Sequence, residues 1–155
     1  MITALERRQI TTWLARTHPL PERAHAEWAE RGVALLPLGR RFDAIRVPAE
    51  RMHAAVGSDE VGIVAEVVAE WLHGPVFRDT RYSEGPYYVL VPAGARWGGE
   101  EERLGEGAYL GVPRVGDATL LAAWVVRPRH AGDLCDPVYL DALLATAETL
   151  KEIER

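Results

Sequence analysis

Residues 86–92, PYYVLVP, leave a chain of this kind few choices. Alternation along an extended segment sends Tyr87, Val89 and Val91 to one face and Tyr88 and Leu90 to the other, and both sets are apolar. A half-solvated strand would carry polar side chains on one of those faces. The run is therefore expected to lie in a sheet covered on both sides. After a Gly- and Glu-rich connection comes LGEGAYLGVP, equally extended in character, and the two blocks within residues 82–113 are expected to be neighbouring strands of one sheet.

The rest of the chain supplies what would cover that sheet. Residues 3–16 place Ile2, Leu5, Ile10, Trp13 and Leu14 near a 3.6-residue repeat, and His18-Pro19 ends the helix. A second helix runs from Pro21 to Arg31, with Gly32 as its stop and Trp28 on its core side. VALLPL reads as a buried strand, and GRR turns it into a second one, FDAIRVP, to form a first hairpin. In that second strand Phe42, Ala44 and Arg46 face one way and Asp43, Ile45 and Val47 the other. Asp43 thus shares a face with apolar residues and must either meet an Arg or sit at an open sheet end beside a site.

Residues 48–56 form a short helix, and Ser58 is expected to cap the next, whose buried stripe is Val61, Val64, Val67, Val68, Trp71 and Leu72. Strands follow at 75–77 and, with both faces covered, at 119–126. Residues 93–103 read as a mobile polar loop. Residues 136–154 form the last helix, with Val138, Leu140, Leu143, Leu144, Ala147, Leu150 and Ile153 as apolar positions. The fold class expected is α+β, a mixed, mainly antiparallel sheet with helices packed on it, in a single domain of 155 residues.

Composition excludes several functions. No apolar run is long enough for a membrane span, and Glu6, Arg7 and Arg8 interrupt the place where a secretory leader would be apolar, so a cytoplasmic location is expected. Cys135 is the only cysteine, which rules out an intramolecular disulfide and a thiolate cluster. Its neighbours Asp133, Asp136 and Asp141 disfavour a reactive thiolate. Residues 1–57 hold nine Arg against six acidic residues, whereas residues 58–155 hold nine basic against seventeen acidic. General affinity for nucleic acid is therefore expected to be weak and confined to a local Arg patch.

No catalytic signature is present. The five histidines make no HExxH or HxH pair, no Ser lies in a GxSxG elbow, and no GxxxxGK[ST] loop occurs. LGEGAYLG lacks the GxGxxG spacing and leads into a strand rather than a helix. No cofactor and no metal site is expected. The dense feature is Arg40, Arg41, Arg46 and Arg51 around the first hairpin, with Arg78 and Arg81 near the second. These suit either internal salt bridges or an anion site built from Arg46 with Arg81 or Arg127. Tyr87 and Tyr88 point to opposite faces, so one of them, with Tyr109 and an Arg from 46, 81 or 127, is expected to border the main pocket. The alternative is two packed tyrosines with satisfied hydroxyls.

AEWAERGVALLPLG, then a strand holding Asp43, then GPYYVLVPAG, EERLGEGAYLGVPRV and WVVRP, in that order over about residues 24–128, resemble the N-terminal domain of bifunctional DNA primase and polymerase proteins of the archaeo-eukaryotic primase type. The chain then divides into an N-terminal helix over residues 1–20, a core over 21–128 that the resemblance implies to be primase-like, and a C-terminal helix over 136–155. The family's Asp-x-Asp strand departs here, since Ile45 stands where the second Asp should be, and Pro86 and Tyr87 occupy the place of the family's histidine. Two-metal nucleotidyl transfer needs clustered carboxylates. What the resemblance implies is a degenerate, non-catalytic scaffold that binds a nucleotide, a nucleic acid or a protein. The site residues expected are Asp43, Arg46, Arg81, Tyr87, Tyr88, Tyr109 and Arg127. Two alternatives stand beside it. One is an enzyme acting on a nucleotide or small anion through Asp43 and the Arg cluster, for which Glu66, Asp79, Glu84 or Glu106 would have to approach Asp43. The other is an interaction protein using the apolar helix faces of residues 60–72 and 136–154.

Overall fold

The computed structural model describes residues 2–116 and 119–154. In chain order the elements are α1 (Ala4–Ala15), α2 (Pro21–Arg31), β1 (Val33–Pro37), β2 (Phe42–Val47), α3 (Ala49–Val56), α4 (Val61–Leu72), β3 (Val76–Asp79), β4 (Tyr87–Pro92), β5 (Glu102–Leu104), β6 (Tyr109–Pro113), β7 (Ala122–Val126) and α5 (Pro137–Glu154). Local signals set most boundaries. Thr3 and Glu6 form a reciprocal capping box at α1, while Pro21 opens α2 and Gly32 closes it in the left-handed region at φ 80°. The cap of α4 is Glu60 rather than Ser58. The Glu60 carboxylate accepts the amides of Gly62 and Ile63, and Ser58 serves one step earlier by accepting the Glu60 amide.

The fold is α+β, and every strand ladder among the described residues is antiparallel. β5-β2-β4-β3-β7 make one five-stranded sheet, with β4 at its centre, and β1 and β6 make a separate two-stranded ribbon. This corrects the expected neighbourhood of PYYVLVP and LGEGAYLGVP. The second block crosses away to pair with β1, Val33 opposite Pro113 and Leu35 opposite Gly111. Nor do β1 and β2 form a hairpin, because β2 takes β4 on one side and β5 on the other.

The sheet is covered on both faces. Ile45, Val47, Tyr87, Val89 and Val91 pack with α3, α4 and α5, and Ala44, Phe77, Leu90 and Ala122 pack with α1, α2 and the ribbon. Two buried cores thus share one sheet, each removing apolar surface from water at roughly 25 cal/mol per Å².

Three stripes differ from the pattern. Leu5, Val61, Trp71, Val138 and Ile153 are exposed, because the buried face of each helix is narrower than its apolar content, while the side chain of Leu150 lies outside the described residues. β7 begins only at Ala122, and Leu120 before it is 91% exposed. Nor is β7 covered on both faces as expected, since Ala123, Trp124, Val125 and Val126 are only half-buried at the sheet's edge. Residues 93–103, expected as a mobile loop, contain packed structure: Trp97 lies against the α3/α4/α5 core and donates its indole N–H to the Glu101 carbonyl, and Glu102 starts β5. The acidic Glu101 is drawn in by Arg51, which also bonds Glu148 of α5.

No helix among the described residues is long and apolar enough to cross a membrane.

Candidate functional site

Where the ribbon parts from the five-stranded sheet, a cleft of about 360 Å³ opens, a volume in the range of small-molecule sites. Phe77, Asp79 and Tyr88 line it from β3 and β4, Val33 and Leu35 from β1, and Tyr109, Leu110 and Gly111 from β6; Arg81, Leu121 and Ala122 complete it. Register explains the sheet wall. Arg46, Tyr88, Phe77 and Trp124 are successive cross-strand neighbours on one face, so Tyr88 stacks on Phe77 at 5.0 Å between centroids and Trp124 meets Phe77 edge-on.

Asp79 and Arg81 supply the charge. Both Asp79 oxygens are engaged: Oδ1 accepts the backbone amide and Nε of Arg81, and Oδ2 accepts its Nη2 at 2.8 Å. The hydrogen bonds from Arg81, aided by the charge of Arg46, hold the Asp79 carboxyl below the usual aspartate range, and Asp79 in turn raises the Arg81 guanidinium. Gly85 is required beside this turn, since a Cβ there would lie 1.9 Å from the Asp79 carbonyl oxygen. The guanidinium is thereby fixed at the cleft while Nη1 makes no hydrogen bond among the described residues, and Arg81 also lies over the Tyr82 ring.

The residues singled out from sequence divide into two sets. Arg81, Tyr88 and Tyr109 line this one cleft, with Arg46 exposed beside it, opposite Tyr88. Asp43, Tyr87 and Arg127 lie elsewhere. Asp43 is 1% exposed on the opposite face from Asp79, and its Oδ2 accepts Arg103 Nη1 at 3.0 Å and the Gly94 amide at 2.9 Å. Tyr87 points under the helices, its hydroxyl 2.8 Å from His53 Nε2 and its ring beneath Arg78. Arg127 donates to the adjacent Pro128 carbonyl. Among the described residues no group of three or more His, Cys, Asp or Glu is gathered as a metal centre would need. Asp79 and Gly111 were not among the expected site residues. The Asp-x-Arg spacing of Asp79 and Arg81 was a usable signal; for Gly111 the sequence carried none, because its place depends on strand register.

No family model matches the chain, and no curated protein or solved structure matches it.

Proposed function

We propose that this chain is a non-catalytic binding module on a primase- and polymerase-like scaffold, and that its cleft takes a nucleotide. The observation supporting this is the convergence of Tyr88 and Tyr109 with an Asp79-anchored Arg81 in one small-molecule-sized cleft. Aromatic rings give a planar base a stacking surface, and the open end of a guanidinium suits a phosphate. The non-catalytic part is supported by Asp43: its carboxylate is committed to Arg103 and the Gly94 amide, on the sheet face away from the cleft.

Thermal denaturation in the presence of nucleoside mono- and triphosphates tests the reading, since a ligand that favours the folded state raises its stability by mass action. Melting temperature is expected to rise with nucleotides in the wild type and to be unmoved in Arg81→Ala. Template-dependent incorporation by the pure protein, lost in Asp43→Ala, would overturn the non-catalytic reading; a nucleotide response unchanged in Arg81→Ala would remove the cleft.

A further inference from the structure

The ribbon's hydrogen bonds fix where the main chain of Gly111 points. In an antiparallel pair, directly opposed residues alternate between those that exchange both bonds and those whose N–H and C=O turn to the outer edges. Leu38 donates to the Ala108 carbonyl and Arg114 donates to the Gly32 carbonyl, so the even-numbered residues of β1 and β6 bond inward. The Leu35 amide turns outward and is taken by Glu27 Oε1 at 2.9 Å. Gly111 stands opposite Leu35 and therefore turns its own N–H and C=O outward as well, away from β1. That outer edge is the cleft side: two residues on, the Pro113 carbonyl accepts the indole N–H of Trp124 from β7. Gly111 lines the cleft, and a Cβ built on it would meet nothing within 4 Å.

Resting on the nucleotide reading above, we infer that the paired N–H and C=O of Gly111 read the hydrogen-bonding edge of the base while Arg81 holds the phosphate. A residue's outward N–H and C=O lie side by side, a donor next to an acceptor. Guanine, with N1–H beside O6, and uracil, with N3–H beside O4, present the complement on a flat ring. A main-chain pair serves this better than a side chain because it is held rigid by the ribbon and loses no rotamer freedom on binding. The absence of a side chain at this position leaves the pair open to approach by a ring.

Isothermal titration of the full chain with GMP, UMP, 1-methyl-GMP and ribose 5-phosphate tests this, using the wild type, Gly111→Ala and Gly111→Pro. Proline removes the outward N–H without taking a bond from the ribbon, which is where an edge strand tolerates it. Alanine keeps that N–H. GMP is expected to bind the wild type best, to weaken less than tenfold in Gly111→Ala, whose methyl crowds the ring but keeps the donor, and to weaken about tenfold in Gly111→Pro, the scale of one or two hydrogen bonds. 1-Methyl-GMP should weaken similarly on the wild type and lose little more on the proline variant. Ribose 5-phosphate should not distinguish the three proteins. Equal binding of GMP and 1-methyl-GMP to the wild type overturns the inference even if the proline variant fails to fold, and leaves the nucleotide reading standing. No binding of GMP or UMP to the wild type overturns the inference, and it overturns the nucleotide reading too only if no nucleoside mono- or triphosphate raises the melting temperature.

Discussion

Arg103 of β5 reaches across the sheet edge to Asp43 of β2, its Nη1 3.0 Å from Oδ2, and so meets a carboxylate that is almost wholly buried. The other oxygen, Oδ1, has no partner among the described residues and faces Gly105, where a Cβ would stand 3.4 Å away. Removing Arg103 would leave the buried acceptor with the Gly94 amide alone. Arg103→Ala is expected to cost about 1–3 kcal/mol in urea denaturation, the penalty of a buried group losing a partner. Adding Asp43→Asn should recover part of that loss, since the amide needs no counter-charge. A double variant no more stable than Arg103→Ala would show that the pair is held by packing alone.

Tyr88 separates stacking from hydroxyl chemistry. Its ring lies on Phe77 and lines the cleft, so Tyr88→Ala is expected to weaken nucleotide binding by about 1–3 kcal/mol, the scale of one base on an aromatic ring. Tyr88→Phe keeps the ring and should retain most of the affinity. Equal losses in both variants, measured by titration, would place the contribution in the hydroxyl instead.

His53 makes stability depend on pH. Its ring is held below the ordinary histidine value of 6.5, by burial first and by the charge of Arg78 second; Asp59 and Glu84 pull the other way without reversing the shift. The unfolded chain therefore takes up a proton that the folded chain refuses. The contribution is fully present above the ordinary value and is lost as pH falls through it toward the lowered one. Denaturation midpoints at about pH 5 and about pH 7.5 should differ more in the wild type than in His53→Gln. An unchanged difference would assign the pH dependence to other groups.

Glu27 closes the outer edge of β1 by accepting the Leu35 amide. Open strand edges pair with other chains, and a charged side chain set against one prevents it. Glu27→Ala is expected to lower stability by about 0.5–1.5 kcal/mol and to produce larger species with rising concentration in size-exclusion chromatography. Glu27→Gln keeps the acceptor and should stay as the wild type does.

Local chemistry was legible where it is local. Pro21 and Gly32 bound α2, alternation puts Phe42 and Ala44 opposite Ile45 and Val47, and the two apolar faces of PYYVLVP match a sheet covered on both sides. Pairing was not legible, because alternation fixes which way a side chain points and not which strand lies beside it. LGEGAYLGVP is as fit to neighbour β4 as β1, and only the assembled chain sends it to β1. Polarity misled in residues 93–103 for a related reason: Glu101 is polar in sequence and buried in fact, since Arg51 arrives from a helix fifty positions earlier to neutralise it. Of the site, Arg81, Tyr88 and Tyr109 could be named in advance as side chains. The main chain of Gly111 could not, because its direction follows from the register of a strand far away.

The ribbon sets the order in which this chain can fold. With Val33 opposite Pro113, roughly half the chain separates the two strands, and closing so large a loop costs entropy before any contact repays it. On a ribosome the first helices emerge long before Leu110 and Val112, the β6 residues that complete their core. Ile10, Leu14, Trp28 and Leu36 can meet Phe42, Phe77 and Leu90 before then, but must wait for the last part of their cover. Any nascent chain stopped short of Pro113 leaves that layer covered by the sheet but open on its ribbon side to chaperones and proteases, while α3, α4 and most of the sheet are already made.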